Sequence, residues 1–264
     1  MDRSIIDIHA HVFPEKIAKK ASSSTGDYYG IEMYGDGTVQ DLLEKGEKIG
    51  TKRYVIHSTA TRADQVVSVN NFIASVKEAD SRFIGFGTVH PDLEDIPGEI
   101  ERLISLGFKG IKLHPDFQRF NIDGENMIPI YRIIGDRLPI LMHMGDENKT
   151  YSTPRRLARV LDIFPDLTII AAHMGGYMRW GESGDFLVGR DVYFDTSSTM
   201  EFLDKQKMVD MIRTHGADKI LFGVDYPMWT HEGELENILS LGLSEEELRL
   251  ILYENACKLL NIDV

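Results

Sequence analysis

The chain has 264 residues, 42% hydrophobic and 27% charged, with a formal net charge of −13 at pH 7 and a single cysteine. That balance, with no low-complexity tract, charge block, linker or short-period repeat, suits one soluble domain over 1–264, and the lone cysteine excludes an internal disulfide. The acidic surplus argues against nucleic acid or an anionic membrane as main partner, no apolar run is long enough to span a bilayer, and a small-molecule ligand is the expected partner.

A first strand is predicted over 4–9, running into Asp7-Ile8-His9-Ala10-His11. Alternate residues of a strand share a face, so Asp7, His9 and His11 point one way and Ile6, Ile8 and Ala10 the other. Two imidazoles about 7 Å apart along a backbone can chelate one ion, and packing alone gives little reason for an H-x-H pair at a buried strand end. The strand starts so near Met1 that no room for a cleavable signal is expected. Residues 12–37 form the longest insertion, and their serines, glycines and tyrosines predict a loop. Tyr28, Tyr29 and Tyr34 would either close over a substrate or pack on the rim.

A helix over 39–49 precedes a strand over 53–57 that ends on His57, and a helix over 64–79 precedes a strand over 83–89 followed by His90. Both histidines read as supporting a site or as hydrogen-bonded core groups. Next come a helix over 97–106 with Pro97 in its first turn and Gly107 as its stop, and a strand over 108–113. Lys112 and His114 share a face there, and Pro115 fixes the strand exit. A helix over 128–136 leads to a strand over 138–143 ending on His143. A helix over 154–164, opened by Pro154, leads to a strand over 167–173 ending on His173.

A short strand over 192–195 ends on Asp195, which either orients a ligand histidine or caps the next turn. A helix over 203–215 stops at Gly216, where His215 meets the helix dipole. A strand over 220–224 presents Asp225, His231 follows as a loop residue within reach of the site, and Ser244 with Glu247 forms a capping box for the last helix.

Seven of the nine histidines therefore follow strand ends: His9, His11, His57, His90, His114, His143 and His173. Eight nearly continuous apolar strands alternating with helices over about 250 residues match a (β/α)8 TIM barrel, whose strand ends would gather these imidazoles. No glycine-rich phosphate loop supports a doubly wound sheet instead. Lys112, Arg119 and Arg179 follow strand ends and are candidate partners for an anionic substrate. Cys257 has no internal partner, which predicts a reducing cytoplasm. A homo-oligomer is compatible with all of this.

From Asp7-x-His-x-His through Gly110-Ile-Lys-Leu-His-Pro and Phe222-Gly-Val-Asp-Tyr-Pro to Glu254-Asn-Ala-Cys-Lys-Leu-Leu, the chain resembles the amidohydrolase superfamily. Specifically it is similar to the amidohydrolase-related (amidohydrolase 2) TIM-barrel hydrolases, a group that includes aminocarboxymuconate-semialdehyde-type decarboxylases. The resemblance implies His9, His11, His143 and Asp225 as metal ligands and His173 as the catalytic or substrate-polarising histidine; in other branches the strand-six histidine binds a second metal. It leaves Lys112 three roles: a carboxylated bridge between two ions, an ammonium paired with Asp225 or a substrate carboxylate, or a structural residue.

The expected cofactor is one divalent metal ion, zinc first, with manganese or another first-row ion as the alternative. The expected reaction is hydrolysis of an amide, ester or lactone bond in a small acidic molecule by metal-activated water, with Asp225 and His173 handling protons. His114, Arg119, Tyr29, Arg179 and Lys112 are the candidate substrate contacts. A non-oxidative decarboxylase of a small unsaturated or aromatic acid is the alternative on the same ligands, and a catalytically silent barrel is the third reading.

Overall fold

The computed structural model describes residues 4–263; residues 1–3 and 264, the ends of the expected domain, lie outside them. Its strands are β1 (Ile5–His11), β2 (Thr51–His57), β3 (Phe83–Gly87), β4 (Gly110–Leu113), β5 (Ile140–Met142), β6 (Ile169–Ala171), β7 (Tyr193–Asp195) and β8 (Ile220–Leu221). The helices are α1 (Glu15–Tyr29), α2 (Val39–Glu47), α3 (Val66–Ala79), α4 (Ile96–Ser105), α5 (Pro115–Gln118), α6 (Ile128–Ile134), α7 (Pro154–Ile163), α8 (Trp180–Phe186), α9 (Lys205–His215), α10 (His231–Leu239), α11 (Glu245–Arg249) and α12 (Asn255–Leu260). The sheet order is β1-β2-β3-β4-β5-β6-β7-β8, and helices separate the strands, so the fold is a (β/α)8 TIM barrel. All eight predicted strands are present. Two compact units are distinguished, 4–57 with 76–84 and 195–263, and 58–75 with 85–194.

In the first unit β1 pairs in parallel with β2, His11 opposite His57, and every β1 residue before His11 is buried. The segment after β8 lies along β1: Ile8 N–H donates to Phe222 O (2.9 Å), Asp225 N–H to His9 O (2.8 Å) and His11 N–H to Tyr226 O (2.7 Å). Gly223 permits this approach, because a Cβ there would stand 3.0 Å from His9 Cβ and 3.3 Å from Ile8 Cγ2. The Ser244–Glu247 capping box opens α11 as predicted.

The insertion after β1 departs from the expected loop. Residues Glu15–Tyr29 are helix α1, whose buried residues are Ala18, Ser22 and Gly26, one per turn. Ser22 and Gly26 are poor helix formers and signal a loop by propensity, but with Ala18 they give a flat stripe of small residues on which the returning chain packs. Ser22 Oγ donates to Gly35 O at 2.9 Å, and a Cβ on Gly26 would lie 2.6 Å from Ile31 O. Tertiary packing overrides local preference, and Tyr28 and Tyr29 become helix residues in edge contact (4.8 Å) rather than the tip of a loop.

In the second unit β4, β5, β6 and β7 run parallel in register, with Lys112 opposite Leu141, Leu141 opposite Ile170, and Ile170 opposite Tyr193. Helix α7 opens as Pro154 predicts, with Thr153 capping it through Arg156 N–H, and α4 places Pro97 in its first turn behind the Asp95 cap. Helix α8 has no counterpart in the sequence reading, since Trp180–Phe186 is short and carries two glycines.

Candidate functional site

In the first unit the H-x-H motif converges with Asp225. His9 Nε2 lies 3.3 Å from His11 Nε2 and 3.3 Å from Asp225 Oδ1, and His11 Nε2 lies 3.5 Å from the same oxygen. Bonds of about 2.0–2.1 Å to a tetrahedral ion separate neighbouring ligand atoms by about 3.4 Å, so two nitrogens and an oxygen at these spacings fit one divalent metal. The opposite nitrogen of His9, Nδ1, is 2.8 Å from Asp195 Oδ2. Protonation at Nδ1 lets it donate to that carboxylate and leaves Nε2 as the ligand lone pair, the usual support for a metal-binding histidine. Asp195 also fills its second expected role, as its Oδ1 accepts from Ser197 N–H (3.1 Å) and Ser197 Oγ–H (2.5 Å).

Around this trio, Asp225 Oδ2 accepts from Ser198 Oγ–H at 2.5 Å. Both residues have left-handed backbones, φ 50° at Ser198 and 60° at Asp225, a strained state that concentrates at functional sites. The ring of His57 stands edge-on to His11 at 4.4 Å and lies 5.1 Å from His9, which makes it part of the cluster rather than of the general core. His231 is not the expected loop residue: it begins α10, is fully buried, and its Nε2 pairs with Asp7 Oδ2 at 3.1 Å. Asp7 Oδ1 in turn accepts the N–H groups of His9 (2.9 Å) and Val224 (3.0 Å), joining β1 to the chain after β8.

The second unit gathers His143, His173, His114 and Asp116. His143 Nε2 is 2.8 Å from Gly145 O, which can only accept, so Nε2 carries the proton and Nδ1 is the lone-pair atom, 3.0 Å from His173 Nε2. Burial, reinforced by electrostatic interaction with His114, His173 and Lys112, holds the His143 pKa well below the usual histidine range. The His143 ring stacks on His114 at 3.8 Å, and His114 stacks on Phe117 at 3.9 Å. Gly145 has φ 81°, and a Cβ there would meet Tyr177 O at 2.3 Å, so no side chain can replace its hydrogen. Its N–H is held by Ser152 O (2.9 Å) and Ser152 Oγ (3.1 Å), and Ser152 Oγ–H donates to Asp116 Oδ2. Lys112 is fully buried on β4. His173 has φ 59°, and its carbonyl accepts the Trp180 indole N–H at 3.0 Å.

A family model described as amidohydrolase matches residues 6–262. The chain belongs to the amidohydrolase-2 family. Among solved structures, the chain is similar to dihydroxybenzoic acid decarboxylase from Polaromonas sp. JS666 with bound manganese (17% identity, 98% of this chain and 97% of that one, TM-score 0.74). It is likewise similar to 5-carboxyvanillate decarboxylase from Sphingomonas paucimobilis (17% identity, 100% of both chains, TM-score 0.73). A third similar structure is a putative 2-pyrone-4,6-dicarboxylic acid hydrolase from Pseudomonas putida (19% identity, 98% of both chains, TM-score 0.68).

Three of the expected substrate contacts have the following local surroundings. Arg119 is exposed at the left-handed end of α5. Arg179 spends its guanidinium on Asp146 O (2.9 Å) and Lys149 O (3.0 Å), with Glu182 at 3.7 Å, so it fastens a loop. Tyr29 closes α1 against Tyr28. His90 accepts from Asp92 N–H at 3.2 Å, the hydrogen-bonded reading of that residue. Sequence reasoning missed Ser198 and Asp116; the second had a signal, standing two residues beyond His114 as half of an H-x-D pair.

Burial, reinforced by the charge of Asp146, raises the Asp116 carboxyl to about 6, against the pull of Ser152 and Arg179. Between pH about 4 and 6 the folded state keeps a proton that the unfolded chain has released, so stability falls as pH rises through that window. Asp116→Asn retains an acceptor for Ser152 and removes the charge. Denaturant unfolding should find it more stable than wild type by about 2–3 kcal/mol at pH 7.5, with the gain gone near pH 4. An equal difference at both pH values would refute the shifted carboxyl.

Proposed function

We propose that the protein is a metal-dependent, non-oxidative decarboxylase of a small unsaturated or aromatic acid. The observation that carries this reading is the full-length likeness to two decarboxylases, one of them with bound manganese, in a chain that brings His9, His11 and Asp225 to metal-binding spacing. Hydrolysis stands second in this reading and, with a putative hydrolase among the similar structures, is kept as an outcome of the test.

His9, His11 and Asp225 hold the ion, and the family resemblance adds His143 to the ligands and gives His173 the catalytic role. Two imidazoles and a carboxylate accept manganese or zinc alike, and manganese is the first ion to test. When bound, the ion supplies Lewis-acid charge toward an anionic substrate. In the reaction the bond between the carboxylate carbon and its neighbour breaks, its electron pair stays on that neighbour, carbon dioxide leaves and a proton takes its place. Asp225 and His173 are the proton-handling groups. The partner is a small acid, and the cytoplasm is the proposed compartment, given the lone Cys257; no helix among the described residues is long and apolar enough to cross a membrane.

The test is a panel of small aromatic and unsaturated acids, esters, amides and lactones given to manganese-loaded and zinc-loaded protein. In D₂O a decarboxylase releases carbon dioxide and places deuterium on carbon. Label from ¹⁸O-water in a new carboxylate or alcohol, without carbon dioxide, would establish hydrolysis instead. No turnover of either class by fully loaded protein would return the silent barrel.

A further inference from the structure

Asp225 is the end of a buried hydrogen-bonded chain that begins near the surface. The Trp229 indole Nε1 lies 2.8 Å from Ser198 Oγ, and Ser198 Oγ lies 2.5 Å from Asp225 Oδ2. An indole N–H can only donate, so Ser198 Oγ must accept it, and the single hydroxyl proton is then directed to Asp225. The other acceptor in reach, Met228 Sδ at 3.6 Å, is far weaker than a carboxylate. Ser198 is 1% exposed, so water does not compete for its proton.

We propose that Ser198 and Trp229 are positioning residues for metal binding: the indole sets the direction of the Ser198 hydroxyl, and the hydroxyl pins Asp225 Oδ2 so that Oδ1 faces His9 and His11. The inference rests on the metal site proposed above. The hydroxyl bond to Oδ2 favours one carboxylate rotamer of Asp225, whose backbone is already left-handed. The outer end of the chain is placed by packing. Trp229 lies between Tyr34, 5.9 Å away between ring centres, and Phe202, 6.2 Å away, two side chains that are 56% and 42% exposed. The indole thus joins a solvent-facing aromatic group to a proposed metal ligand through one hydroxyl.

The test titrates zinc alone, and then manganese alone, into metal-free protein, with affinity read by chelator competition and folding checked by circular dichroism. Ser198→Ala should bind 10–100-fold more weakly, the usual range for losing a group that orients a ligand. Trp229→Phe keeps the ring, deletes the N–H donor and should lose less, in the same direction. The double variant should bind no more weakly than Ser198→Ala alone, because the indole acts only through that hydroxyl. The chain holds two tryptophans, so the difference between wild type and Trp229→Phe isolates one indole. Its emission should shift on adding zinc to wild type, and the shift should vanish in Ser198→Ala. Wild-type affinity in folded Ser198→Ala, or additive losses in the double variant, would overturn the relay while leaving the metal site standing. Wild type that binds neither ion would overturn both.

Discussion

Wild-type protein is expected to hold close to one equivalent of divalent metal per chain, and His9→Ala and Asp225→Ala are each expected to hold almost none. Their donor atoms stand 3.3 Å apart and share His11 Nε2 as a neighbour, so removing either opens one corner of a compact trio. His9→Ala also leaves Asp195 Oδ2 buried without its imidazole partner, and Asp225→Ala leaves the Ser198 hydroxyl without its carboxylate acceptor, so each adds a structural penalty. Ligand imidazoles must be neutral, so occupancy should fall together with activity below about pH 6. Elemental analysis across pH checks each statement. Undiminished metal in both variants would remove the site from these residues, and occupancy near two in wild type would favour Lys112 as a carboxylated bridge.

The second large effect is expected at His173. His173→Asn should keep the metal and most substrate affinity while losing about 10²–10⁴-fold in rate, the range for one acid–base or electrostatic contribution. The variant replaces an imidazole 3.0 Å from His143 Nδ1 by an amide that still donates a hydrogen bond, so the His143 ring stays oriented. Steady-state kinetics on metal-loaded protein separates the two quantities. A raised KM with kcat intact would make His173 a binding group, and lost metal would make it a ligand.

The barrel was legible because buried parallel strands must be apolar on both faces, which leaves unbroken runs such as Ile169–Ala171 and Ile140–Met142. The trio was legible for a related reason: His9 and His11 sit two apart in a strand, and Asp225 follows an apolar run. Ser198 was not legible, since a serine three residues past a strand end has no meaning until backbone geometry turns it toward Asp225. The surroundings of Arg119 and Arg179 were not legible either, because charge alone does not say that Arg179 donates to the carbonyls of Asp146 and Lys149 or that Arg119 stands exposed. Helix α1 was hidden because its Ser22 and Gly26 are chosen for thinness, a property that propensity counts as weakness.

Glu234 lies on α10, 1% exposed, and burial first, then the charge of Glu201, lifts its pKa well above the usual carboxylate range. The shift favours the neutral form, and a neutral carboxyl has a carbonyl stretch of its own, set apart in the infrared from carboxylate bands. The charges of Asp225 and Asp7 add to the upward shift, so a cation arriving beside Asp225 opposes part of it. The Glu234 band is consequently a vibrational gauge of charge at the trio, readable by difference spectroscopy and assignable with Glu234→Gln.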